Sequence, residues 1–314
     1  MSYNRAGTSK FWIDAVLLAR QWGQIEYEND LGKYYLNPSN VSSVSPLTET
    51  GLFDLNIVFK NRYWRNSLSH IFILGHNFYS DSINYRLKGF FDSRPTDTNG
   101  WLYYSYNELN EYSSLNGVTL ELDFSGGDAE STPLGDISLG WSFEMPHSSD
   151  LELTQSFGNE SVKTQTTLGG HTLTNAGWNQ KSGWIKPSWA RGTSSSSAYN
   201  NKNFKVFPSG RRQWSLKFSY LSDTDLFPSD LNSDYGIFQK TGDESDNDSD
   251  FTIKSDWLSK VWFGTNCGQN PFVFQPNKDE ENEFAICRFD TNTMTFNQVA
   301  NNVYDISLTI VEVW

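Results

Sequence analysis

The chain has 314 residues, a formal net charge of −13, and 37% hydrophobic and 16% aromatic residues. An acidic surface repels phosphate, which argues against sequence-specific nucleic-acid binding and against docking on anionic membranes. No apolar run is long enough to insert into and span a bilayer as a helix. Twelve Trp, fifteen Tyr and twenty-two Phe supply the buried area that Leu and Ile leave short. Asn, Ser, Thr and Gly between them are the punctuation of short strands and turns, so the expected class is all-β, with length enough for two cores.

Residues 1–35 form an N-terminal segment. Met1-Ser2-Tyr3-Asn4-Arg5-Ala6-Gly7 is polar, and Asp14 interrupts the apolar residues 11–19, so a secretory leader is not expected. Residues 11–19 suit a strand or a helical turn equally. Asn37-Pro38-Ser39-Asn40 and Ser45-Pro46 read as turns. Residues 53–59 and 83–87 alternate, as do residues 118–124 behind the turn signal Asn116-Gly117. Ile71-Phe72-Ile73-Leu74 is a continuous apolar run, the pattern of a strand buried on both faces, and it ends at Gly75-His76-Asn77. Residues 135–145 read as the last strand of this unit, and short strands at near-regular spacing predict a β-sandwich over 36–147. Residues 148–204 read as an extended connection with a Ser/Asn-rich, mobile loop at 191–203. Residues 205–314 form a second β-rich unit. Its strands are predicted at 210–220, 271–276, 283–289 and 303–314, a short helical stretch at 257–263, and an Asp- and Ser-rich loop at 228–250. The pairing of residues 1–30 stays open: they either add a strand to the 205–314 unit, making the sandwich an insertion, or stand apart.

Motifs that carry chemistry are scarce. Asp246, Asp248 and Asp250 match the first, third and fifth positions of a calcium loop, but Phe251 stands where Gly is needed and Trp257 where a bidentate Glu belongs. A solvated acidic loop is the better reading. His70, His76, His147 and His171 lack metal-ligand spacing, and His76 is expected to close its strand. No phosphate-cradling or nucleophile-elbow pattern occurs, so no catalytic, cofactor-binding or metal residue is assigned, and no enzyme activity is expected. Cys267 and Cys287 read as buried strand thiols, with a disulfide between them as the alternative. Trp178, Trp184, Trp189 and the aromatic residues of 101–104 could stack on sugars or fill assembly contacts. With Arg211, Arg212 and Trp314 in the C-terminal unit, the three tryptophans are the candidate assembly or glycan contacts.

Two parts of the chain resemble phage material. Ser69-His70-Ile71-Phe72-Ile73-Leu74-Gly75-His76-Asn77-Phe78, followed by Ile83-Asn84-Tyr85-Arg86-Leu87, resembles the corresponding strands of galactose-binding-like (discoidin-type) jelly rolls in phage structural proteins. Gly135-Asp136-Ile137-Ser138-Leu139-Gly140 resembles the closing strand of that unit. Residues 205–314 are similar to the C-terminal domains of distal-tail or baseplate-type proteins. The resemblance implies a jelly-roll β-sandwich plus a β-rich tail-assembly domain with one short helix. It implies a bacteriophage tail or baseplate protein, assembled in the host cytoplasm and located in the virion tail. Such a structural protein forms a homo-oligomeric ring or joins the tail tube to peripheral baseplate or fibre proteins. Its partners would be other tail proteins, tail fibres or host glycans. A different class, a carbohydrate-binding adhesin that recognises host surface glycans, is the alternative, and a glycan-degrading virion enzyme is a third.

Overall fold

The computed structural model describes residues 7–28, 45–47, 52–74, 84–87, 101–105, 117–123, 132–134, 137–150, 154–158, 162–176, 211–230, 236–240, 251–279 and 284–313. Residues 11–19, ambiguous by pattern, split into both structures: β1 (Lys10–Asp14) runs directly into α1 (Ala15–Gln21). Asp14 is the switch. Its backbone is still extended, and its Oδ1 accepts from the Leu17 N–H at 2.9 Å, capping the first turn of α1.

The remaining elements follow in order. After β2 (Ile25–Glu28), β3 (Ser45–Leu47) and β4 (Leu52–Phe59) comes α2 (Arg62–Asn66). Then follow β5 (His70–Leu74), β6 (Asn84–Leu87), β7 (Trp101–Ser105), β8 (Gly117–Asp123), β9 (Thr132–Leu134) and β10 (Ile137–Glu144). Next are β11 (Thr154–Gly158), β12 (Val162–Thr166), β13 (Thr172–Ala176), β14 (Arg211–Ser222) and α3 (Asp223–Leu226). The chain closes with β15 (Phe238–Lys240), β16 (Phe251–Ile253), a π-helix (Leu258–Phe263), β17 (Phe272–Gln275), β18 (Ala285–Phe289), β19 (Phe296–Ala300) and β20 (Val303–Glu312). The fold is all-β, with few and short helices.

One ten-stranded antiparallel sheet dominates, in the order β11-β14-β20-β18-β17-β1-β10-β5-β7, with β19 also on β20. At its centre β1 pairs with β10 on one side (Phe11↔Phe143) and with β17 on the other (Phe11↔Phe274). Strands from the N-terminal, middle and C-terminal stretches thus share one ladder. A four-stranded sheet, β2-β4-β8-β6, forms a second layer. Its Ile57, Phe59 and Val118 join Ile71, Ile73, Ile137, Leu139 and Trp141 of the large sheet in one core cluster, which is the packing of a sandwich.

The large sheet is buried on both faces at its centre. Phe11 and Ile13 enter the main core, while Trp12 between them is 1% exposed on the opposite face with Phe72, Val273, Phe284 and Ile286. A strand covered on both sides reads as a continuous apolar run, which is why Ile71-Phe72-Ile73 showed no alternation. Among the described residues five tryptophans, Trp12, Trp64, Trp141, Trp214 and Trp257, are fully buried, so part of the aromatic excess is core. Gly140 is obligatory at the corner where β1 becomes α1: a Cβ there would run into the Ile13 carbonyl oxygen. The π-helix, at the predicted 257–263, buries Ser259, Val261 and Trp262, and its Lys260 carbonyl accepts from Trp141 Nε1 at 2.8 Å.

Three sequence readings change. Ser45-Pro46 is not a turn but opens β3, whose only ladder among the described residues is to β9; at the edge of such a pair Pro breaks no further ladder. The segment 228–250 is not all loop, because it contains β15. Cys267 is not a buried strand thiol: it is exposed, with φ 56°, in the turns after the π-helix, while Cys287 is buried in β18. The turn at 37–40, His76, the loop 191–203 and the acidic residues 243–250 lie outside the described residues.

Candidate assembly surface

Of the candidate contact residues, Trp178, Trp184, Trp189 and Trp314 lie outside the described residues. Residues 101–104 lie in β7, the last strand among the described residues on one side of the large sheet. Arg211 opens β14, opposite Gly158. Arg212 is the one whose side chain is described, and it is engaged inside the molecule. Its Nε and Nη2 donate to the two carboxylate oxygens of Glu312 at 3.0 and 3.1 Å, and Nη2 also donates to the Phe284 carbonyl at 3.1 Å. The Arg212 backbone N–H donates to the same carboxylate at 3.1 Å. The guanidinium lies over the Trp214 ring, 5.1 Å from its centroid. The Glu312 side chain is 0% exposed and that of Arg212 only 15%. This pair ties β14 to the C-terminal strand across the sheet. The neighbouring Cys287 thiol is pushed well above its usual range, first by burial and then by the Glu312 charge.

The surface has features that periodicity did not disclose. Among the described residues β12 and β13 pair only with each other, Val162↔Ala176 through Thr166↔Thr172. The hairpin closes through Gly170 N–H to Thr167 O at 2.9 Å and Thr167 N–H to His171 O at 2.8 Å, with Gly170 at φ 78°. That is a tight turn followed by a left-handed residue, which glycine supplies without strain. At its tip Leu168 is fully exposed, and Leu173 is 59% exposed. Tyr220 is a second feature. It sits in the bulge where the β14–β20 register shifts between Phe218 and Leu221, with φ 63° and 80% exposure. A non-glycine residue held left-handed is strained, and bulges re-aim side chains; the Asp305 carboxylate anchors this one by accepting from the Tyr220 N–H at 3.1 Å.

One titratable ring, His70, is part of the core. His70 is 0% exposed, between Trp12 and Phe72 with ring centroids at 5.0 and 5.4 Å. Neither ring nitrogen has a hydrogen-bond partner. Burial, and then the charge of Lys10, hold its pKa down to about 3, so the ring is neutral. A general base must reach a substrate proton, and no solvent path touches this ring. Among the described residues no group of His, Cys, Asp and Glu is arranged to hold a metal ion, and no helix is long and apolar enough to cross a membrane. Compared with protein-family models, curated proteins and solved structures, the chain matches none.

Proposed function

We propose that this chain is a structural component of a phage virion. It is a tail or baseplate protein that joins a homo-oligomeric ring, or links the tail tube to peripheral baseplate or fibre proteins, after assembly in the host cytoplasm. The resemblance of residues 69–87, 135–140 and 205–314 to phage jelly-roll and distal-tail proteins supplies the class. The observation that carries the assembly role is the β12–β13 hairpin. An isolated two-stranded hairpin is marginal in water, and an exposed leucine at its tip costs hydration unless a neighbour covers it. A chain that presents such an element suits completion by contact with other subunits.

Gold-labelled antibody against the protein, applied to intact particles from its source, tests the reading. Label at the distal tail supports it. Label at the neck or head removes the tail-tip position but keeps the virion class. Particles that carry no label, although the antibody binds the purified protein, refute the virion role.

A further inference from the structure

A cavity of about 650 Å³ opens among the turn after α1, the start of α2 and the β15–β16 pair. Small-molecule sites are typically ~300–1,000 Å³, mostly apolar, with a few placed polar groups. The cavity has that make-up. Its wall includes Trp22, Tyr63, Trp64 and Phe238, and its polar groups include Gln24 and Asn61.

The aromatic wall is rigid at its base and open at its rim. Trp64 is 1% exposed and locked edge-on by Phe238 at 5.1 Å and parallel to Phe59 at 6.4 Å. Trp22 meets Trp64 edge to face at 5.9 Å, yet keeps 42% of its surface exposed. It is held there by the helix end: its N–H donates to the Leu18 carbonyl, and Gly23 turns the chain at φ 64°. A tryptophan that is exposed but backed by a buried one offers a fixed flat surface, not a flexible side chain.

Two of the polar groups, Gln24 and Asn61, are neutral and incompletely engaged. Asn61 Nδ2 donates to Gln24 Oε1 at 3.3 Å, and Gln24 Nε2 reaches the Trp22 carbonyl only at 3.4 Å. Each primary amide has two N–H donors and one carbonyl acceptor. The pair therefore keeps unused donors, and Asn61 Oδ1, although at the helix N-cap position, makes no capping bond. The one cation in the lining, Lys254, directs its Nζ to the carbonyls of Asp230 and Gly236, both at 2.6 Å. No carboxylate lines the cavity among the described residues. A phosphate or carboxylate ligand would have to displace those carbonyls to pair with Lys254. A ring with an apolar C–H face and neighbouring hydroxyls matches both halves of the wall: the face packs on an aromatic ring, and two hydroxyls can share one amide.

We propose that this cavity binds an uncharged pyranose unit of a glycan, with Trp22 against the sugar face and the Gln24–Asn61 pair holding its hydroxyls. The site is independent of the assembly role, since a tail protein or a free lectin could carry it.

The test titrates the full chain with methyl glucoside, methyl galactoside and N-acetylglucosamine, each alone, at millimolar concentration, read by saturation-transfer NMR and calorimetry. Saturable binding of at least one sugar is expected. It should weaken at least about tenfold, ~1.4 kcal/mol, in both Trp22→Ala and Asn61→Ala. Both side chains are partly exposed at the rim, and unchanged thermal melting of the variants shows that the fold survives. Trp22→Phe, which keeps a ring, should retain more affinity than Trp22→Ala. Three results overturn the proposal: no saturable binding of any of the sugars, binding that both alanine variants retain, or glucose 6-phosphate binding more tightly than neutral glucoside.

Discussion

Acidification should weaken this fold through His70. The ring is fully buried with its pKa held down to about 3, whereas in the unfolded chain it titrates near 6.5. Between those values the unfolded state binds a proton that the folded state refuses, so stability rises with pH across that window and falls on acidification. The contribution is fully present above 6.5. At ~1.36 kcal/mol per pH unit, the whole gap is worth ~5 kcal/mol by about pH 3. The sequence pI of 4.7 makes the lower part of the window prone to precipitation, so the useful comparison stops above it. At about pH 5.5, one unit below the unfolded value, the loss relative to about pH 7.5 should be on the order of 1 kcal/mol. Urea unfolding followed by tryptophan fluorescence at both pH values measures it in the native chain and in His70→Phe. Phenylalanine keeps an aromatic ring between Trp12 and Phe72 but cannot titrate. The other three histidines and all carboxylates are common to both proteins, so their effects cancel in the difference. The native chain should lose on the order of 1 kcal/mol more than the variant. Parallel pH dependences in the two proteins would refute the argument, whatever the variant's absolute stability.

The Arg212–Glu312 pair predicts a non-additive result. Arg212→Met strands a carboxylate that is 0% exposed and should cost ~3–5 kcal/mol, whereas adding Glu312→Leu should recover most of that. Single and double variants compared by urea unfolding decide it, and a double variant no more stable than Arg212→Met would show that the pair is not the cause. Gly140→Ala should destabilise by ~1–3 kcal/mol, because its methyl group displaces the Ile13 carbonyl at the β1–α1 corner; a melting temperature equal to that of the native chain would contradict the close approach. In the folded protein a thiol reagent should modify exposed Cys267 and leave Cys287 untouched until denaturant is added. Mass spectrometry of the digest reads both sites, and modification of Cys287 first would contradict the burial of β18.

Residue pattern by itself determined the class and much of the local structure. Aromatic and β-branched alternation marks β4, β8, β14 and β20, the unbroken run marks β5 as buried on both faces, and residues 257–263 carry the helix. These are local matters: the spacing of apolar residues states how many faces of an element are covered. Partners are not local. A period of two residues says which side chains share a face but not which strand lies alongside. So the place of β1 between β10 and β17 came only from the tertiary structure. So did the meeting of Arg212 with Glu312, a hundred residues apart in sequence. Tyr220 gave no signal because a bulge is a mismatch between two strands, and one strand read alone cannot show it. Cys267 was misread for a related reason: its left-handed turn follows from how the π-helix ends, not from its neighbours' hydropathy. The cavity beside Trp22 needed most from the fold, because its walls come from α1, α2 and the β15–β16 pair. These segments converge only when the two sheets close on their shared core. Burial of aromatic surface drives that closure, and no short stretch of the chain encodes it alone.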